Sequence, residues 1–126
     1  LHFESSLEIV MPYRAVASTE LAKLFSVLSN PNRVRIIEEL SKGELSVNDL
    51  QGILGTTHAS VSQQLAVLRT NRIVVERREG RSVFYHLKNP ELAAWVLAGI
   101  RFICPDHEEV QNMMSAFEKA RKTWGA

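Results

Sequence analysis

The stretch "SVNDLQGILGTTHASVSQQLAVLRT", residues 46–70, constrains the fold more than any other part of the chain. It holds two short apolar stripes at helical spacing with only Gly55, Thr56 and Thr57 between them. Ser46 followed by Asp49 at the third position has the form of a capping box, Val47, Leu50, Ile53 and Leu54 face one way, and Gly55 supplies a left-handed stop. Thr57 is placed to cap the next helix. In that second helix, at about 100° per residue, Val61, Leu65 and Leu68 form a core face, whereas Ala59, Ser60, Ser62, Gln63 and Ala66 fall opposite. An ordinary solvated face carries Lys and Glu at i,i+4 spacing; this one is slim, uncharged and rich in hydrogen-bonding groups. Two short helices joined so tightly read as a helix-turn-helix whose second helix lies closely against something polar.

The flanking segments set its context. "STELAKLFSVLSN" places Leu21, Leu24, Phe25 and Leu28 at i, i+3, i+4, i+7, which predicts an amphipathic helix over 18–29. Asn30 and Pro31 then cap and open another helix, closed by Gly43, and Asn89-Pro90 repeats the device. After Asn71, "IVVERREGRSVFYHL" turns to β-branched and aromatic residues around Glu79-Gly80, a hairpin over 73–87 with a basic tip. The order predicts a mainly α fold with a small β-hairpin, a winged helix-turn-helix in one domain spanning 1–126. The segment 90–104 is apolar nearly all round, so a helix there needs cover on more than one side, and a second copy of the chain can provide it through Trp95, Leu97 and Ile100 together with the 18–29 helix. A last amphipathic helix over 106–123 is acidic at its start and basic at its end, matching its dipole.

Composition narrows the function. A chain of 126 residues, 45% hydrophobic and 23% charged, fits one modest core. The single cysteine, Cys104, excludes an intrachain disulfide framework and points to a reducing cytoplasm. No apolar run approaches the roughly 20 residues of a membrane span, and no signal peptide is apparent. The formal net charge of +1 hides an asymmetry. Residues 1–30 carry Arg14 and Lys23 against Glu4, Glu8 and Glu20, and 89–126 carry four basic against five acidic groups, so each flank is −1. Residues 31–88 are +3, and that charge surrounds the slim helix.

A slim polar helix beside basic side chains and a basic hairpin tip suits the major groove of duplex DNA, about 12 Å wide. Thr57, His58, Ser60, Ser62 and Gln63 sit at or near the helix N-terminus, where side chains and free N–H groups reach base edges and phosphates, and Ser46 borders them. Gln63 and His58 are the candidates for base reading. Arg77, Arg78 and Arg81 are candidates for flanking phosphates or the minor groove, and Arg69 and Arg72 for the backbone between.

Together "LSNPNRVRIIEEL", "GELSVNDL", "THASVSQQLAVLR" and "RREGRSVFYHL" resemble the ArsR/SmtB family of bacterial winged-helix repressors, over about 21–103. The resemblance implies a homodimer built on the first and fifth helices, a palindromic operator and release by an inducer. It fails where that family binds metal. The thiolate-type sensors have cysteines in the segment that here reads "ELSVND", with Ser46 and Asn48 in their place. In the zinc-type sensors Asp and His ligands come from the helix after the wing, where this chain has Asn89, Glu91, Phe102 and Pro105. No metal or cofactor is therefore expected, and control by an unknown small-molecule inducer stands beside constitutive binding.

Other readings remain at this level. Arg77 and Arg78 can pair with Glu76 and Glu79 as a solvated hairpin. Cys104 and His107 can form a thiol-redox or metal-responsive sensor, or the cysteine can be a small buried hydrophobe. A dimeric interaction module without DNA binding is a further class. Catalysis lacks support, since no G-x-S-x-G, H-E-x-x-H, P-loop or dinucleotide fingerprint is present.

Overall fold

A computed structural model describes residues 2–103 and 106–124, with the side chains of 2–11, 121, 123 and 124 left aside. Its elements in chain order are α1 (His2–Val27), α2 (Pro31–Leu40), β1 (Leu45–Ser46), α3 (Val47–Leu54), α4 (His58–Thr70), β2 (Val74–Glu79), β3 (Ser82–Leu87), α5 (Glu91–Ala98), α6 (Ile100–Ile103) and α7 (His107–Trp124). The core joins α2, α3, α4, the base of the hairpin and the start of α5 through Ile36, Ile37, Leu50, Val61, Leu65, Leu68, Val74, Leu87 and Ala93. Val61, Leu65 and Leu68 are fully buried, so the α4 stripe anchors the helix with roughly 1.5–3 kcal/mol per side chain.

Local signals govern most helix ends. The Asn30 side chain accepts from the N–H groups of Asn32 and Arg33, and Pro31 takes the first position of α2. The capping box of α3 is closed in both directions, Asp49 N–H to Ser46 Oγ at 3.1 Å and Ser46 N–H to Asp49 Oδ2 at 3.0 Å. Gly55 ends α3 at φ 65°. Thr57 Oγ1 receives the Ser60 N–H at 3.1 Å. At the far end of α4, Ile73 N–H bonds Leu68 O at 2.9 Å and Arg72 N–H bonds Arg69 O at 3.0 Å, the two bonds of a Schellman motif. Its left-handed position, where glycine is usual, is Arg72 at φ 60°, a conformation costing a non-glycine residue about 1 kcal/mol.

Four elements depart from the expected outline. The first helix begins at His2 instead of 18, and every residue of 12–23 is exposed, so that stretch lacks the burial that periodicity records. The wing is a three-stranded antiparallel sheet in the order β1-β3-β2, because Leu45 and Ser46 pair with Tyr85 and Phe84. Two residues are too few to show alternation. The 90–104 helix is interrupted at Gly99, whose N–H turns back to Val96 O at 3.1 Å, so Ile100 belongs to the separate α6. Asn89 Oδ1 accepts the Glu91 N–H at 3.1 Å, but α5 starts after Pro90, so the device of Asn30-Pro31 is repeated only in part.

Candidate nucleic-acid interface

The outward side of α4 is built by subtraction. With Val61, Leu65 and Leu68 turned inward, His58, Ala59, Gln63 and Ala66 are exposed and Ser60 and Ser62 half-buried. Two adjacent glutamines take opposite roles. Gln64 Oε1 accepts from Arg33 Nη1 at 2.8 Å, tying α4 to α2, whereas the Gln63 side chain makes no hydrogen bond to a described residue. Ser62 Oγ lies 3.5 Å from His58 Nδ1, one helical turn away on the same side. Ser46 and Thr57 serve as helix caps, which orients their hydroxyls at the two helix starts. Between these starts and the wing runs a groove of about 510 Å³ that brings Ser46, Asn48, His58 and Arg81 together.

The strand register separates the wing arginines. Glu76 lies opposite Tyr85, Arg77 opposite Phe84 and Arg78 opposite Val83, so Glu76 and Arg78 share one face of the sheet and Arg77 takes the other. Arg77 is engaged within the protein. Its Nη2 reaches Glu44 Oε2 at 2.8 Å, its Nε reaches Glu44 Oε1 at 3.0 Å, its Nη1 reaches Glu79 Oε2 at 3.0 Å, and its guanidinium lies 5.0 Å from the Phe84 ring centre. The hydrogen bonds from Arg77 hold the Glu44 carboxyl below the usual glutamate range, against the opposing effect of burial. Arg78 is open, three-quarters exposed and 3.8 Å from Glu76. Arg81 sits in the turn and makes no ion pair or hydrogen bond with a described residue. Arg69 Nη1 meets Glu76 Oε2 at 3.0 Å, and the Tyr85 hydroxyl donates to the same oxygen at 3.3 Å. Burial, and then the Glu76 carboxylate, raise the Tyr85 phenol above its ordinary range.

Two carboxylates absent from the sequence-derived site therefore set the wing: Glu76 ties it to the end of α4, and Glu44 ties it to the loop after α2. Period-two alternation alone separates Arg77 from Arg78. The pairing with Glu44, 33 residues away, leaves no local trace. Arg72 stands apart from the groove and lines a second cavity with Lys88 and Trp95.

The expected dimer residues also divide. Leu24 and Leu28 pack partly against the chain's own core, whereas Leu21 and Phe25 are 48% and 54% exposed. On a 100° helical wheel these four span one arc, with Leu24 and Leu28 at its inner edge. Phe25 stacks on Trp95 of α5 at 6.3 Å and 13°. Leu97 and Ile100 are half-buried. Of the possible sensor pair, Cys104 lies outside the described residues and His107 opens α7 in an exposed position. Among the described residues no group of three or more His, Cys, Asp or Glu is placed to hold a metal, and no helix is long and apolar enough to cross a membrane.

This combination of helix-turn-helix, outward slim helix and open cationic wing defines a winged-helix DNA-binding regulator. Residues 30–75 match the model of the family described as "Bacterial regulatory protein, arsR family". The biofilm growth-associated repressor of Agrobacterium fabrum is 35% identical over 103 residues, covering 82% of this chain and 88% of that protein. The crystal structure of the transcriptional repressor BigR from Xylella fastidiosa superposes with a TM-score of 0.65 at 34% identity, over 75% of this chain and 96% of that one. A homodimeric winged helix-turn-helix domain from Mycobacterium bovis shares the fold, with a TM-score of 0.64 at 24% identity over 75% and 91% of the two chains. The chain belongs to the arsR family of bacterial regulatory proteins, and is a DNA-binding transcriptional regulator and not an enzyme.

Proposed function

We propose that the protein is a homodimeric repressor that binds a pseudo-palindromic operator and is released by a small-molecule inducer. The outward face of α4 carries the reading. Among the described residues the Gln63 side chain has no partner while Gln64 beside it is engaged, and His58 and Arg81 border the groove between α4 and the wing. In this assignment Gln63 and His58 read base edges, Ser46, Thr57, Ser60 and Ser62 approach phosphates near the helix starts, and Arg78 and Arg81 reach the flanking backbone. Arg69 contributes once Glu76 is shared with phosphate. Arg77 acts by holding the wing.

Dimerisation is supported by the apolar surface along α1 and α5, where Tyr13, Val16, Leu21, Phe25 and Trp95 are between 48% and 72% exposed. Two α4 helices about 34–36 Å apart then enter successive major grooves. Duplex selection from a random pool, followed by footprinting, tests the proposal. Two protected half-sites one helical turn apart are expected; a single asymmetric site, or no enrichment, overturns it.

A further inference from the structure

We propose that the cavity between the end of α4 and the start of α5 is a binding site for a small aromatic monoanion, and that its occupancy adjusts DNA binding. The inference deepens the proposed function by naming the inducer site and the chemistry it takes. The cavity measures about 620 Å³, within the range of small-molecule sites. Arg72 and Lys88 border it, and neither makes an ion pair or hydrogen bond through its side chain with a described residue. Leu92 and the half-exposed Trp95 indole supply an apolar wall. With Glu91 also on the rim, the lining carries a formal charge of +1, which suits one anionic group and not two.

The backbone at Arg72 provides an independent observation. The Schellman turn that ends α4 puts Arg72 at φ 60°, where glycine relieves strain, and directs this arginine to the cavity. Strained positions of this kind gather at ligand clamps. A carboxylate between the Arg72 guanidinium and the Lys88 ammonium, with its ring against Trp95, connects two mechanical elements. Arg72 belongs to the end of the recognition helix. Trp95 stacks on Phe25 of α1, on the apolar surface assigned to the dimer. A ligand here biases the angle between DNA-reading and dimerising elements.

The test uses benzoate, with benzamide as its neutral counterpart and inorganic phosphate as an anion without an apolar body. Trp124→Phe leaves Trp95 as the sole tryptophan of the two in the chain. Saturable quenching of Trp95 by benzoate is expected, with benzamide and phosphate about ten-fold weaker or worse. Arg72→Gly should weaken benzoate by a similar factor while keeping or raising the melting temperature, because glycine suits that turn. Saturating benzoate should then change the affinity of the wild type, but not of Arg72→Gly, for a duplex selected by the protein. Absence of saturable quenching, equal binding of benzamide, or unimpaired binding by Arg72→Gly overturns the site. Benzoate binding with unaltered DNA affinity overturns its regulatory role. DNA binding measured without any ligand judges the proposed function separately.

Discussion

Arg81→Ala and Arg77→Ala remove the same charge from the same wing, yet the structure separates their effects on DNA. Arg81, in the turn, has no ion-pair or hydrogen-bond partner among the described residues, whereas Arg77 is held by Glu44 at 2.8 Å and Glu79 at 3.0 Å on the sheet face away from Arg78. Each phosphate contact contributes about −0.9 to the slope of log K against log salt. A dimer has two wings, so losing Arg81 flattens the slope by about 1.8. Between about 50 and 200 mM salt, a four-fold change, wild type should therefore lose roughly twelve-fold more affinity than Arg81→Ala. Arg77→Ala should leave the slope nearly unchanged and instead lower thermal stability by freeing Glu44. Fluorescence anisotropy on operator and random duplexes over that salt range measures both slopes. Equal flattening by the two variants would refute the division, since it requires Arg77 to leave both carboxylates for phosphate.

The adjacent glutamines should separate similarly. Gln63→Ala should relax base preference at particular operator positions with little change in stability, and Gln64→Ala should cost about 1 kcal/mol by leaving Arg33 without its amide partner, with preference intact; selection profiles and thermal melts check the pair. Trp95→Glu should yield monomers in sedimentation velocity, and an unchanged sedimentation coefficient would remove α5 from the interface. Because Glu44 is held below its unfolded range, its link to Arg77 stabilises the fold above the unfolded glutamate range. That contribution is lost as pH falls through the depressed folded value, so Glu44→Gln should show a shallower loss of stability with acid in pH-dependent melts. A parallel acid profile in variant and wild type would show that the pairing contributes nothing.

Much of the outward face of α4 was legible because its determinants are local. Ser46, Asp49, Gly55 and Thr57 act within three or four residues of themselves, and the stripe of Val61, Leu65 and Leu68 requires only that one side of a helix be buried. The wing was legible as a hairpin but not as a mechanism. Glu44 and Arg77, or Arg69 and Glu76, are brought together by tertiary packing that no window of sequence contains. The first half of α1 escaped for the opposite reason. It is helical, its side chains over 12–17 are exposed, and hydrophobic periodicity detects burial. The left-handed end of α4 was hidden by its residue, since "TNR" offers Asn71 as the natural occupant and the chain gives the position to Arg72.

In the proposed function, that placement gives the two ends of α4 different tasks. At the N-terminus, Thr57 caps the helix through the Ser60 N–H, and on the outward side Gln63 presents a side chain with no partner among the described residues. At the C-terminus, Ile73 N–H returns to Leu68 O and Lys88 N–H bonds Ile73 O at 2.9 Å, so the helix end is fixed to the last strand immediately before α5 begins. Displacement of α5 can therefore reach α4 through the backbone of Lys88 and of Ile73, whose side chain is buried in the core. In the proposed dimer, a shift of the α5 helices would alter the spacing of the two α4 faces, and both must meet successive major grooves together.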